Sequence, residues 1–285
     1  PGRRAICDFG CPESRTLKIA LTRCATRFLP DPPGHRRQSQ MNAAVISDIH
    51  ANLPALETVL ADIDRVGVDE IWCLGDAVGY GARPSECVDL LADRCAISLV
   101  GNHDLAALEQ IDISTFSPAA AEAARWTRTS LSGQALDWLN GLEGASSERE
   151  GIGLFHASPR DPVWEYVIDT DLAEECLDVQ NERVALVGHS HIALFFTRVD
   201  EMSRLRSSFA PPGTSESFAQ GQWLVNPGSV GQPRDGDPRA AWLELDFDSS
   251  RATFHRVEYD IKLAAEQIRD AGLPINLADR LYLGH

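Results

Sequence analysis

No stretch of the chain approaches the roughly 20 apolar residues that a membrane-crossing helix requires. Nor does the first segment read as a secretory leader, because its one apolar patch, LKIALTRCATRFL, is interrupted by Arg23 and Arg27. Paired cysteine spacing is missing as well. The seven cysteines (7, 11, 24, 73, 87, 95 and 176) are odd in number and form no C-x-x-C unit. We read them as reduced thiols of a cytoplasmic protein, several of them packed in the core. Repeats of solenoid type are absent too.

Positive charge is scarce where a nucleic-acid binder would need it. The net charge is −16, yet residues 1–40 hold eight Lys/Arg against three Asp/Glu, so the remainder carries −21. So acidic a body is unsuited to neutralising phosphates of nucleic acid. Acidic clusters can instead be neutralised by bound cations. Residues 1–40, Arg- and Pro-rich and without periodicity, are expected to be a disordered extension upstream of Met41. Residues 41–285 are then expected to be one domain.

From residue 43 a single pattern recurs: a short apolar run ends abruptly in polar, ligand-type residues. AAVIS leads to Asp48 and His50, EIWCL to Gly75 and Asp76, and AISLV to GNHD (101–104). GIGLF leads to His156, VALV to GHSH (188–191), and QWLV to NPGSVG (226–231). Between the early runs lie helix patterns: Leu53 to Val66 with Pro54 in the first turn, Pro84 to Asp93, and an Ala-rich helix opened by Ser117-Pro118. Alternating strands and helices imply a largely parallel sheet, whose ligands collect outside the carboxyl ends of the strands. The second half is strand-rich and is expected to form a second, more antiparallel sheet. The Ser/Pro/Gly-rich segment 203–221 reads as a mobile loop. A helix from Ile261 to Asp270, stopped by Gly272 and Pro274, is expected to close the chain.

The strand-end residues offer four imidazoles, two carboxylates and one amide oxygen: His50, His156, His189, His191, Asp48, Asp76 and Asn102. Without thiolates, this set suits Mn, Fe, Zn or Ni. Each member alone has a plainer reading: a turn for Asp48-x-His50 or Asp76, a local cap for Asn102, a hydrogen-bonded core histidine for His156. Their conjunction favours metal. Five of the eight histidines (50, 103, 156, 189 and 191) fall in these clusters, in an order that a folded sheet can bring together.

The series DIH (48–50), GD (75–76), GNHD (101–104), His156 and GHSH (188–191) resembles the calcineurin-like metallophosphoesterases. The later NPGSVGQPRDGDPRAAWLELD resembles their compact bacterial and archaeal phosphodiesterase branch. The resemblance implies an α/β fold, a four-layer αββα sandwich of two mixed sheets flanked by helices, and two divalent metals bridged by a hydroxide. Carried over block by block, it gives Asp48, His50, Asp76 and His191 to one metal. Asp76, Asn102, His156 and His189 go to the other, with Asp76 bridging. His103 would face the phosphate, stabilising the transferring group or protonating the leaving oxygen. Asn52 would either approach the phosphate or cap the helix that Pro54 opens. Arg234 would either steer a substrate phosphate or lie in a surface loop.

The sequence also departs from relatives. Protein Ser/Thr phosphatases of that superfamily carry GD-x-VDRG, where an Asp orients the catalytic His and an Arg grips phosphate. Here GDAVGYG (75–81) has Gly79 and Tyr80 in those places, which counts against phosphoprotein substrates. Segment 105–150, with Arg125, Trp126 and Trp138, is expected to supply either a substrate-selecting cap or scaffold helices. The expectation is thus a binuclear phosphoesterase, preferably of small diesters and with manganese as the leading metal. The rivals are a phosphomonoesterase, a protein phosphatase and a non-catalytic scaffold on the same fold.

Overall fold

The run after Met41 explains the architecture. In strand β1 (Asn42–Ile46), Ala43 and Val45 point to one side, Ala44 and Ile46 to the other, and all four are fully buried. A strand apolar on both sides must be covered on both. Residues 41–200 and 202–285 are described by the computed structural model of the chain. The expected disordered extension, residues 1–40, lies outside them.

After β1 come α1 (Leu53–Val66), β2 (Glu70–Cys73), α2 (Pro84–Arg94), β3 (Ile97–Ser98), α3 (Asn102–Ala107), α4 (Pro118–Ser130) and α5 (Gly133–Asn140). The middle of the chain supplies β4 (Ser146–Arg149), β5 (Ile152–Phe155), α6 (Thr170–Val179), β6 (Val184–Val187), β7 (Ala193–Arg198) and β8 (Arg206–Phe209). Then follow β9 (Ser215–Ser217), β10 (Gln222–Pro227), β11 (Ala240–Asp246), β12 (Arg251–Val257), α7 (Ile261–Asp270) and α8 (Ile275–Asp279). Prolines 54, 84 and 118 stand in the first turns of α1, α2 and α4, where a missing N–H is harmless.

Two six-stranded mixed sheets result, ordered β3-β2-β1-β11-β12-β9 and β4-β5-β6-β10-β7-β8. In the first, β1, β2 and β3 are parallel and the rest antiparallel; in the second, β5, β6 and β10 form the parallel centre. Val45, Trp72 and Leu243 from one sheet meet Leu186, Phe195 and Val225 from the other in a common apolar layer. On the outer face of the first sheet, Ile46, Cys73 and Trp242 pack with side chains of α1, α2 and α5. On the outer face of the second, Val187, Phe196 and Leu224 pack on Cys176 and Leu177 of α6. The fold is a helix–sheet–sheet–helix sandwich.

Four expectations need correction. The strands of the second half do not all join the second sheet: β11 pairs antiparallel with β1, Asn42 opposite Asp246, and carries β12 and β9 into the first. Hydrophobic alternation sets which face a strand buries, not which sheet receives it. Segment 203–221 is not all loop, since β8 lies on β7 and β9 on β12 as edge strands. Their serine-rich sequences bury no side-chain face, so hydrogen bonds from a neighbouring strand define them. The run AISLV shrinks to a two-residue strand. Finally, α7 does not close the chain, because Pro274 opens α8 and a 3-10 turn, Arg280–Tyr282, follows.

Segment 105–150 divides. Helix α5 buries Ala135 and Leu139 in the outer core of the first sheet, and Ser132 N donates to Ser85 Oγ at the head of α2 (2.9 Å). The turn before α4, by contrast, borders the cavity described next.

Candidate metal centre

All the sequence-chosen ligands converge where the carboxyl ends of β1, β2, β5 and β6 approach one another. Asp48, His50, Asp76, His189 and His191 share a left-handed backbone, φ between 50 and 62°. Non-glycine residues hold that conformation only where their surroundings impose it. Here neighbouring strand ends do so: Asp48 N donates to Gly75 O and His50 N to Asp76 O, each at 3.0 Å.

The ring nitrogens can be assigned from their partners. His50 Nδ1 lies 3.1 Å from Val78 O, His156 Nδ1 2.9 Å from Leu74 O and His191 Nδ1 2.6 Å from Gln232 O. A carbonyl only accepts, so each Nδ1 is the donor and each Nε2 keeps a lone pair. His50 Nε2 then meets His191 Nε2 at 3.1 Å, and His156 Nε2 meets Asn102 Oδ1 at 3.2 Å, acceptor against acceptor. Asp48 Oδ1, Asp76 Oδ2 and His189 Nε2 are buried with no hydrogen-bond partner among the described residues. Buried acceptors without donors are costly unless a cation answers them.

Two sets emerge. Asp48, His50, Asp76 and His191 offer ligand atoms within 4.8 Å of one another, as do Asp76, His156 and His189. Asp76 Oδ2 lies between them, 3.6 Å from His50 Nε2 and 3.7 Å from His156 Nε2. Its other oxygen is engaged, accepting from His103 N at 2.8 Å. Donor-free nitrogen and oxygen lone pairs of this kind fit divalent cations.

Burial controls the charges. It pushes Asp48 up to about 7 against the pull of His156, with Asp76 adding to the rise, and holds Asp76 itself well above the carboxylate range. It drives His189 down to about 2 and His103 down to about 3, and takes His50 and His191 well below their ordinary value. These four imidazoles are therefore neutral, the form in which a ring nitrogen can bind a metal.

His103 faces the same space from the start of α3. Tyr80 packs on its ring at 4.3 Å between centroids and Phe116 at 5.0 Å, while its buried Nδ1 has no partner among the described residues. Gly79 explains the close fit: with φ +93°, a Cβ there would stand 2.7 Å from His103 Nδ1. Asp104 does not orient His103. Its carboxylate accepts from Gly101 N (2.9 Å), Val78 N (3.0 Å) and Ala77 N (3.3 Å), tying the GDAV turn to the GNHD turn.

Two further candidates separate. Asn52 is committed elsewhere: its Oδ1 caps α1 at Ala55 N, and its Nδ2 donates to Gly231 O and to Tyr259 Oη. As a phosphate contact it is withdrawn, since these bonds use its carbonyl for the helix cap and both amide hydrogens. Arg234 is no plain surface arginine. It reaches back to Gln232 Oε1 (3.0 Å) and Tyr80 Oη (3.4 Å), and its Nε is buried without a partner among the described residues.

The sixth polar cluster, NPGSVG, is a brace and supplies no ligand side chain. Asn226 Nδ2 donates to Gly188 O (2.7 Å), Ser229 Oγ to Asp48 O (2.7 Å), and Val230 N to Ser47 O (3.0 Å). Residues not anticipated from sequence are Tyr80, Phe116, Trp164, Tyr166 and Arg280, all lining the cavity beside His103. The sequence carried a signal for two of them, the closely spaced aromatics Trp164 and Tyr166 in the stretch after His156.

Comparison with known proteins agrees with this geometry. The calcineurin-like phosphoesterase superfamily domain matches residues 41–248. An uncharacterized protein of Methanocaldococcus jannaschii is 40% identical over 245 residues, 85% of this chain and 97% of that one. The crystal structure of a metallophosphoesterase from Sphaerobacter thermophilus is 40% identical with a TM-score of 0.78, covering 86% of this chain and 99% of that one. A hypothetical protein from Pyrococcus horikoshii OT3 shares the fold at 21% identity and a TM-score of 0.68, over 86% of this chain and 98% of its own. With the match running from β1 to just beyond β11 and taking in every strand-end cluster, the chain belongs to the calcineurin-like phosphoesterase superfamily.

Proposed function

We propose that the protein is a binuclear metal-dependent phosphodiesterase acting on small phosphoesters, with manganese as the leading metal and Fe, Zn or Ni as alternatives. The single observation that carries this is the pair of facing lone-pair sets that share Asp76. Asp48, His50, Asp76 and His191 would hold one cation, and Asp76, Asn102, His156 and His189 the other. When bound, two such cations make water a nucleophile near neutral pH and stabilise charge on the phosphoryl oxygens.

The protein side chains do the rest. Carbonyls of Val78, Leu74 and Gln232 fix the tautomers and ring planes of His50, His156 and His191, so that the inward nitrogens need no rearrangement. His103, neutral through burial, donates an N–H to the phosphoryl group and is held by the rings of Tyr80 and Phe116. Arg234 supplies a fixed positive charge beside it. We read residues 41–285 as one domain, with the turn before α4 as the rim of its site. Free Cys73, Cys87, Cys95 and Cys176 favour a reducing compartment, the cytoplasm. The acidic body disfavours nucleic acid as substrate.

The test is hydrolysis of bis-p-nitrophenyl phosphate against p-nitrophenyl phosphate, with Mn²⁺, Ni²⁺ or EDTA, by wild type and His103→Ala. Metal-dependent diester cleavage lost in the variant supports the reading. Preference for the monoester would keep the metals and overturn the diester assignment. A folded protein inert with every metal would favour the non-catalytic scaffold.

A further inference from the structure

Beside His103 and His189 opens a cavity of about 450 Å³, a size suited to a small organic ligand. Its walls hold Arg234 and Arg280 but no carboxylate. In so acidic a chain this is unusual, and elsewhere arginines such as Arg94, Arg149, Arg198 and Arg256 pair with Asp or Glu. Neither cavity arginine pairs with a side-chain carboxylate among the described residues. Arg234 touches only neutral oxygens, and Arg280 uses its Nε on the backbone oxygen of His285, leaving its terminal nitrogens without a partner among the described residues.

The two stand at different depths. Arg234 is the inner one: its guanidinium is held against Gln232 Oε1 and Tyr80 Oη, and its backbone N–H donates to the His191 carbonyl at 3.2 Å. Arg280 faces the outer cavity, where burial and then the charge of Arg234 lower its own pKa. Two like charges turned towards one space repel until an anion enters. Around the mouth, Phe116 and Trp164 pack edge to face at 5.9 Å and 82°, while Trp164 remains 38% and Tyr166 46% exposed. Aromatic rings left open at the entrance of a polar cavity offer stacking surfaces to a planar ring.

We propose that Arg280, with Arg234, binds a second phosphoryl group adjoining the one attacked, and that the rim aromatics hold a planar ring, so that the substrate class is a nucleoside diphosphate ester. Each phosphorus in such a diphosphate diester has two bridging oxygens, so this deepens the phosphodiesterase reading and rests on it. Attack forms one bond from a water oxygen to the inner phosphorus and breaks the P–O–P bridge. The electron pair of that bond leaves on the oxygen of the outer phosphoryl group, and the protons of the water pass to solvent. Arg280 thereby meets the charge that develops on the departing oxygen.

The experiment titrates AMP and ADP into the full chain with Mn²⁺ by calorimetry, and uses both as inhibitors of bis-p-nitrophenyl phosphate hydrolysis. Wild type should bind ADP at least about tenfold tighter than AMP, the scale of one charged hydrogen bond. Arg280→Gln should bring that ratio to within about threefold, Arg280→Lys should restore part of it, and Trp164→Ala should weaken both nucleotides alike. Equal wild-type affinities, or a ratio untouched in both Arg280 variants, would overturn the proposal. If the diester is not hydrolysed yet calorimetry still gives the ADP preference and its loss in Arg280→Gln, the phosphodiesterase reading fails while the second-anion site stands.

Discussion

The Nε2 atoms of His50 and His191 stand 3.1 Å apart, each with a lone pair aimed at the other, because both rings spend their Nδ1 protons on backbone carbonyls. A shared cation would resolve this confrontation. Full-length protein should bind two equivalents of Mn²⁺, and His191→Ala should retain about one, by mass spectrometry of metal content. Each site held at a hundredfold its dissociation constant adds about 2.7 kcal/mol, hence several degrees of thermal protection. An unchanged stoichiometry in the variant would remove His191 from the ligands.

Metal affinity should rise with pH. Burial holds Asp48 protonated up to about pH 7 in the metal-free fold, whereas the unfolded value is 3.8. That raised value stabilises the folded metal-free chain in acid, fully below 3.8, and the contribution is lost as the pH climbs through about 7. A cation requires the carboxylate, so binding below that pH expels a proton. His50 and His191, already lowered by burial first, add none in this range. Calorimetry in two buffers of different ionisation enthalpy should count more protons released at pH 6 than at pH 8, and Asp48→Asn should abolish the difference. Equal release by wild type at both would contradict the assignment.

Gly79 leaves room for the His103 ring. Gly79→Ala puts a methyl 2.7 Å from Nδ1 on a backbone with φ +93°, so the imidazole must turn away. The expected result is a kcat lowered by about 10²-fold, in the range of a lost acid–base or hydrogen-bonding group, with two metals still bound. A variant with near-normal kcat would show that His103 need not occupy this position.

Legibility followed the range of the interactions. Asp48, Asp76 and His156 could be found because polar side chains directly after buried strands violate the local pattern, and the sheets then gathered them. The role of Asp104 stayed open in the sequence, since its three backbone partners belong partly to a turn more than twenty residues earlier. Arg280, Tyr166 and Phe116 meet only when the last turn, the loop after β5 and the turn before α4 are folded together. No local spacing encodes such a meeting. Strands β8 and β9 escaped for a different reason, having hydrogen-bond partners but no buried face.

The brace from residues 226–232 has a consequence for the order of events during synthesis. Asp48 is written early in the chain, yet its carbonyl is gripped by Ser229, and the ring of His191 is set by Gln232. A ribosome-bound chain lacking these residues has the first ligands but not the frame that aims them. Contacts so distant in sequence close late, after the entropy of a long loop has been overcome. If the two cations bind as proposed, the frame that aims their ligands is complete only once the loop after β10 has been made.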